Sequence, residues 1–281
     1  MTGDCVDTPD IHSIAKEVAK ECGRLPQAIV TVRGMLQNKS TVEWRVALAQ
    51  LQESTPENIP GLDPIVYPSI EFSYSYLKDD AVKSCFLLCC LFPEDSDIPI
   101  EYLVRYVVGK GLFEMIDNVA VARDRVHAII KNLQISSLLL DSKKEECVKM
   151  HDVIRDVAIS IAKKEKGFLV RCNDKIEEWP EQGTYEYSAI SLVSQELKKH
   201  PDGLECPKLE LLHLACGKNC TKTQTFPSNM FKEMNKLKVL SMEHMSFPSP
   251  PQSILVLQNH RTLLLDYCKI EDVSEIGALG N

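Results

Sequence analysis

The sequence lacks the features that mark membrane, secreted and nucleic-acid-binding proteins. The longest uninterrupted apolar run is 85–92, far short of the roughly 20 residues that a membrane helix needs. The N-terminal stretch MTGDCVDTPD has neither the basic nor the apolar region of a secretory signal. The 40 acidic side chains outnumber the 32 basic ones, and a chain with net charge -8 gains nothing from neutralising DNA phosphates. We therefore expect no membrane span and no nucleic-acid partner.

Signatures of catalysis and of metal binding are also missing. The sequence contains no HExxH, GxSxG or GxGxxG pattern. Cys216 and Cys220 are spaced as CxxxC, but no second pair of ligands follows, so a metal site is not predicted. The phosphate-binding pattern GxxxxGK(S/T) is absent, because the Gly-Lys pairs at 109–110 and 217–218 lack the leading glycine and the following hydroxyl. We expect no enzymatic activity and no anchor for a tightly bound triphosphate.

What the chain does contain is typical of a globular protein in a reducing compartment. Apolar residues make up 44% and charged residues 26% of the sequence, which is enough to build a core. Its 281 residues favour two or three domains. Eleven cysteines without an export signal indicate free thiols, and hence a cytoplasmic protein.

The first domain, residues 1–62, is predicted to be helical. Apolar residues recur at one-face helix spacing from Ile11 to Cys22. A second helix begins at Pro26, and a third at the capping box formed by Ser40 and Glu43. The turn-rich stretch TPENIPGLDP then serves as a linker.

The second domain, residues 63–165, is predicted to contain helices, a hairpin and a final helix. Helices begin at Pro68, after the capping residue Asp79, near Ile100 and near Val119. The segment SLLLD-SKKEE-CVKM is typical of a β-hairpin, and a last helix begins at Asp152. This order of elements is that of a winged-helix module.

The third domain, residues 166–281, carries leucines at recurring offsets. The positions are Leu209, Leu212 and Leu214; Leu237, Leu240 and Met242; and His260, Leu263 and Leu265. The step from 209 to 237 is 28 residues and the step from 237 to 260 is 23, which fits leucine-rich repeats. Each repeat is one short strand that cannot bury its leucines alone, so the repeats are expected to stack. His260 at a leucine position and the prolines of SPPQS depart from a regular repeat.

Three short stretches carry a family resemblance: GRLPQA at 23–28, CFLLCCLFPED at 85–95 and MHD at 150–152. Their order and spacing, with leucine repeats behind them, resemble the NB-ARC region of plant coiled-coil-type NBS-LRR disease-resistance proteins. The resemblance covers nearly the whole chain. It implies a mainly α fold with α/β repeats, in which a helical bundle and a winged-helix module, the ARC subdomains, precede the start of a leucine-rich-repeat solenoid.

The resemblance also implies a nucleotide site. Pro26 would lie against the adenine of ADP or ATP, and His151 would contact the β-phosphate of ADP in the resting receptor. The residues agree with these roles, because Pro26 offers a rigid apolar face and His151 lies beside a helix N-terminus, where amides favour an anion. A structural alternative remains open, in which Asp152 caps the helix and His151 bonds a nearby carbonyl.

The chain departs from the family pattern at its beginning. The P-loop and the Walker B strand of the family lie upstream of the first motif, so we expect a fragment without the P-loop subdomain. Arg24 also replaces the expected glycine before Leu-Pro. The sequence thus predicts a fragment of an intracellular immune receptor whose ADP switch is weak or lost.

Two other functions compete with this prediction. The chain would act as a nucleotide-independent scaffold or decoy that binds a pathogen effector, a guarded host protein or a full-length receptor through its repeats. A third hypothesis is DNA binding by the helix AVARDRVHAIIKNL, with Arg123, Arg125 and Lys131, although the acidic charge of the chain disfavours it.

Overall fold

The computed structural model describes residues 9–23, 26–53, 66–113, 118–172, 179, 186–194, 200–217 and 223–277. The chain divides into two compact units. The first comprises residues 1–90, 94–100 and 123–161, and the second comprises residues 91–93, 101–122 and 162–281. Within the described part of the chain, no helix is both long and apolar enough to cross a membrane.

Helices dominate the first half of the chain, and short strands dominate the second. The helices of the first half are α1 (Pro9–Glu21), α2 (Pro26–Leu36), α3 (Thr41–Glu53), α4 (Val66–Ser75), α5 (Asp80–Cys89), α6 (Ile100–Lys110), α7 (Val119–Ile135) and α8 (Asp152–Lys166). Three strands lie among them: β1 (Ile98–Pro99), β2 (Leu140–Asp141) and β3 (Cys147–Lys149). The second half contains β4 (Phe168–Cys172), β5 (Ala189–Val193), β6 (Leu211–Ala215), β7 (Val239–Glu243), β8 (Ser246–Phe247), a 3-10 helix (Gln252–Val256), β9 (Thr262–Asp266), β10 (Lys269–Ile270) and α9 (Ser274–Gly277).

Local capping chemistry sets several helix starts as predicted. The amide and the hydroxyl of Ser40 donate to Glu43 Oε2 at 2.8 and 3.0 Å, and the Glu43 amide donates back to Ser40 Oγ at 3.3 Å. This reciprocal pair confirms the capping box of α3. Asp79 likewise accepts the Ala81 amide at 2.7 Å before α5. The start of α4 is a correction: the helix begins at Val66, because Pro68 falls in the first turn, where its missing N–H costs no hydrogen bond.

The first unit packs its leading helices around one apolar cluster. Val32 and Leu36 of α2 and Trp44 and Ala47 of α3 lie buried against Phe72 of α4. The predicted hairpin is also present, with β2 and β3 antiparallel and β1 on the other side of β3.

The second unit is built on a parallel five-stranded sheet in the order β4-β5-β6-β7-β9. Its register confirms the predicted leucine repeats. Leu212 pairs with Leu240 and Leu240 with Leu263, while Leu214 pairs with Met242 and Met242 with Leu265. The side chains at these positions pack into one core with the residues that return the chain between strands, as expected of stacked repeats.

Leucine spacing did not predict two strands of this sheet, β4 and β5. Ile190 of β5 pairs with Leu212, and Leu169 of β4 pairs with Ile190. The stacked arrangement therefore begins at Phe168, immediately after Gly167, whose φ of 64° ends α8. Pro250 and Pro251 of the SPPQS segment are buried and lead into the 3-10 helix, so this segment supplies a return turn in place of leucines.

Candidate functional site

The two residues predicted to bind nucleotide lie at the starts of two different helices of the first unit. Pro26 is the first residue of α2 and is exposed. His151 is half-buried and directly precedes α8. The described contacts of these side chains do not join them to each other.

The start of α8 positions the His151 ring. The carbonyl of His151 accepts the Arg155 amide at 2.8 Å, which makes it the residue that opens the helix. The Val153 amide donates to Asp152 Oδ1 at 2.6 Å and, over a longer 3.3 Å, to His151 Nδ1. Asp152 thus offers a side-chain acceptor in the first turn of the helix, and the structural alternative stays open beside the nucleotide role. The Asp152 carboxylate also contacts His151 Nδ1, and a proton on Nδ1 that donates to this carboxylate excludes the longer bond from the Val153 amide. The nucleotide role of His151 stays a prediction.

A buried arginine follows His151 by one helical turn. Arg155 is 5% exposed, and its Nη1 lies 3.7 Å from Glu94 Oε1. Burial raises the pKa of the neighbouring Asp156 carboxyl, and the negative charges of Glu94 and Asp152 raise it further, against the opposing charge of Arg155. Since Glu94 belongs to the 85–95 motif, this ion pair joins the second motif stretch to α8, the helix that follows the third stretch. The spacing of Arg155 from His151 places it one helical turn on, but nothing in the sequence points from Arg155 to Glu94.

The Gly-Lys pair at 109–110 packs α6 onto the sheet of the second unit. A Cβ on Gly109 would lie 2.5 Å from Val239 Cγ2, so the glycine permits a close approach. Lys110 Nζ contacts Glu210 Oε2 at 2.9 Å, and Lys238 Nζ contacts Glu210 Oε1 at 2.5 Å. Burial lowers the pKa of Lys110, while hydrogen bonds from both lysines outweigh burial and lower the pKa of Glu210. The pair is thus a packing and ion-pair element.

A chain of polar groups crosses the face of the sheet that α6 covers. Ser191 Oγ lies 2.9 Å from His213 Nδ1, and His213 Nε2 lies 3.0 Å from Glu243 Oε1. Ser191 also donates to the carbonyl of Leu91 at 2.7 Å. The rings of Phe92 and Tyr106 lie 5.6 and 6.4 Å from the His213 ring.

These groups include a serine, a histidine and a carboxylate, as hydrolase triads do. Ser191 is 0% and His213 1% exposed, so the hydroxyl is closed to a substrate and already donates its proton to a carbonyl. The signal in the sequence was a polar residue at the middle position of each of three successive strands, Ser191, His213 and Ser241, which the register aligns.

Most cysteines in the described part of the chain are buried. All nine cysteines there are free thiols, and desolvation raises the pKa of the buried Cys85 to about 12. Such thiols are poor nucleophiles. Cys216 of the CxxxC pair accepts a long hydrogen bond from Gln224, and Cys220 lies outside the described residues. No cluster of three or more His, Cys, Asp or Glu side chains among the described residues could hold a metal ion.

Glu210→Gln is expected to lower the free energy of unfolding of the second unit by about 1 to 2 kcal/mol at neutral pH, because buried Lys110 keeps only a neutral partner. The folded-state pKa of Glu210 is lowered, so its stabilisation is complete above the unfolded pKa of about 4.3 and is lost as pH falls through the folded pKa. Urea unfolding at pH 7 and pH 3 tests both expectations. The difference in the free energy of unfolding between wild type and variant should be smaller at pH 3.

Glu186→Gln is the matched control for this prediction. Glu186 and its partner Lys208 are 62% and 60% exposed, so breaking that pair should change stability by less than about 0.5 kcal/mol. Equal effects of the two variants would contradict the role given to Glu210.

Comparison with known proteins gives a consistent set of relatives. No profile of a known protein family matches the chain. The chain is 30% identical over 272 residues to the probable disease resistance protein At4g27220 of Arabidopsis thaliana, covering 95% of this chain and 29% of that protein. It is 32% identical over 272 residues to the probable disease resistance protein At1g12290, and 30% identical over 271 residues to the disease resistance protein RFL1, both of Arabidopsis thaliana. These matches cover 93% and 94% of this chain and 30% of each relative, so the chain spans about a third of the length of these relatives.

Proposed function

The chain belongs to the NBS-LRR family of plant disease-resistance proteins, and on that premise we propose that it is the part of an intracellular immune receptor that joins a nucleotide-responsive region to a recognition solenoid. In this proposal residues 1–62 and 63–165 are the ARC subdomains, and residues 166–281 are the leucine-rich repeats. In the same proposal, helices α7 and α8 with the β2–β3 hairpin belong to the winged helix of the second ARC subdomain.

The observation that carries the nucleotide role is the construction of the α8 N-terminus. His151 opens the helix, Asp152 holds ring atom Nδ1, and the buried guanidinium of Arg155 lies one turn further on. A helix N-terminus with a cationic neighbour favours a phosphate oxygen. Nε2 of His151 is then the ring atom left to contact the β-phosphate of ADP, and Pro26 contacts the adenine.

The affinity of this chain for nucleotide is proposed to be weak, since the sequence has no GxxxxGK(S/T) loop to cradle the phosphates. An ion held by one histidine and one helix terminus, without that loop, has few of the contacts that give tight binding.

Purified chain is expected to release no stoichiometric ADP or ATP on denaturation, and to hydrolyse no ATP. Added ADP should bind with a Kd of about 1 mM, because few phosphate contacts remain. His151→Ala should abolish this weak response, which NMR chemical shifts of the 281-residue chain would detect.

His127→Ala is the control, since the side chain of His127 is 37% exposed and paired with Glu146, much as that of His151 is 39% exposed beside Asp152. Stoichiometric ADP in the folded chain would contradict weak binding. An ADP response that survives His151→Ala would contradict the site itself.

The second candidate is a nucleotide-independent scaffold that binds a protein through its repeats. Tyr267 favours this function: it is 79% exposed after β9 and stacks on His244 at 4.8 Å, and exposed aromatic rings are enriched in protein interfaces. Co-purification of an effector, a guarded host protein or a full-length receptor with nucleotide-free chain would support it. Loss of every partner on removal of ADP would count against it.

A further inference from the structure

The hydrogen bonds around His213 require one proton more than a neutral imidazole and an ionised Glu243 carboxylate supply together. The carbonyl of Leu91 has no proton, so the 2.7 Å contact uses the single hydroxyl proton of Ser191. The 2.9 Å contact between Ser191 Oγ and His213 Nδ1 must then use a proton on Nδ1. The 3.0 Å contact between His213 Nε2 and Glu243 Oε1 needs a further proton, either on Nε2 or on the carboxyl.

The imidazole and the carboxyl therefore share two protons when all three hydrogen bonds exist. Loss of one proton leaves two arrangements. In the first, Nε2–H donates to the Glu243 carboxylate and Nδ1 takes the hydroxyl proton of Ser191, which ends the bond to Leu91. In the second, the Nε2 lone pair faces a carboxylate at 3.0 Å, which is repulsive in a buried site. When one proton is lost, the hydrogen bond from Ser191 to the Leu91 carbonyl is therefore the one that breaks.

The surroundings keep this exchange within the chain of three residues. From α6, the Tyr106 ring covers His213 and the Tyr102 hydroxyl is directed to Asp266 of β9. Burial raises the pKa of both phenols. The hydrogen bond to Asp266 raises that of Tyr102 further and the charge of Glu243 raises that of Tyr106, so both phenols stay neutral between pH 6 and pH 8.5. From β4, Cys172 Sγ lies 3.8 Å from the Leu91 carbonyl oxygen, and a hydrogen bond of that length is a poor replacement for the one from Ser191.

We propose that Ser191, His213 and Glu243 form a proton-operated latch that holds the segment 91–93 on the sheet of the second unit. The latch is closed when two protons are shared between His213 and Glu243, and it opens at Leu91 when one is lost. The segment lies within the 85–95 motif, between two stretches of the first unit in sequence. A rise in pH is thus expected to loosen one part of that motif.

Hydrogen exchange on the full 281-residue chain tests the latch. The protection factor of peptides that cover 88–94, corrected for intrinsic exchange, should fall about three- to tenfold between pH 6 and pH 8.5 in the wild type. Ser191→Ala should give the low protection at both pH values, because the donor to Leu91 is gone.

Glu243→Gln should hold the latch closed at both pH values. The glutamine amide donates to Nε2, Nδ1–H donates to Ser191, and the hydroxyl stays on Leu91, so no extra proton is needed. Glu233→Gln, at an exposed position of the same unit, should behave as the wild type does.

Nitrogen-15 NMR of labelled histidine gives a readout that a purely structural role would not move. The ring of His213 should carry its single proton on Nδ1 in Glu243→Gln at pH 8.5, and on Nε2 in the wild type. Equal tautomers in the two proteins, or protection of 88–94 that does not change with pH in the wild type, would overturn the proposal.

Discussion

Gly34→Ala is expected to destabilise the first unit by about 2 to 3 kcal/mol, although alanine is the better helix former. An alanine Cβ at position 34 would lie 2.8 Å from the carbonyl carbon of Ser136, and 3.0 Å from both the Ile135 oxygen and the Ser136 Cα. These are backbone atoms at the end of α7, so no side-chain rotation can relieve the overlap. The propensity gain of about 1 kcal/mol is smaller than the cost of moving α2 away from α7.

Urea unfolding followed by circular dichroism would measure this loss. Gly277→Ala is the control, because a Cβ there would meet nothing within 4 Å. An unchanged midpoint in Gly34→Ala would mean that α2 does not approach residues 135–136 as closely as described.

Gly109→Ala is expected to destabilise the second unit by about 1 to 3 kcal/mol. The added Cβ would lie 2.5 Å from Val239 Cγ2 and 2.6 Å from Thr262 Oγ1. Both are side-chain atoms that can shift or rotate, so the loss of stability can fall in the lower part of this range. The displaced helix would also pull Lys110 away from Glu210, whose contact is 2.9 Å in the native protein.

A double-mutant cycle with Val239→Ala tests whether steric overlap with Val239 causes the loss of stability in Gly109→Ala. Val239 is fully buried, so Val239→Ala alone should cost about 2 kcal/mol. The double variant should lose less stability than the two single variants together, because Val239→Ala removes the methyl group that the new Cβ would overlap. Additive effects would contradict a direct clash between the two positions.

Features that depend on local or periodic sequence were predictable. The capping box of Ser40 and Glu43 uses neighbours three positions apart, and the pairing of Leu212 with Leu240 follows from a repeated spacing. Strands β4 and β5 escaped prediction because FLVRC and AISLV carry few leucines. In β5, Ile190 and Leu192 take the leucine positions of the repeat, whereas in β4 the exposed Arg171 stands at the second of them.

Features that depend on long-range pairing were not predictable from spacing. Glu94 meets Arg155 only in the folded first unit, and no periodicity relates them. In the sequence, Gly109 and Lys110 form only an incomplete phosphate loop, because the close approach of Gly109 to Val239 exists only once α6 lies on the sheet. Pro26 and His151 remain predictions from the family resemblance.

The aligned row of Ser191, His213 and Ser241 bears on how the repeats find their order during folding. Stacked repeats have similar apolar faces, and a strand that paired one position out of order would still bury its leucines. It would, however, separate His213 from Ser191 or from Glu243 and leave a buried ring nitrogen without its partner, at a cost of about 1 to 3 kcal/mol. Among the strands of the described sheet, β6 alone carries the histidine that bonds to both neighbours. The polar row therefore favours the order β5-β6-β7 over other orders of these strands.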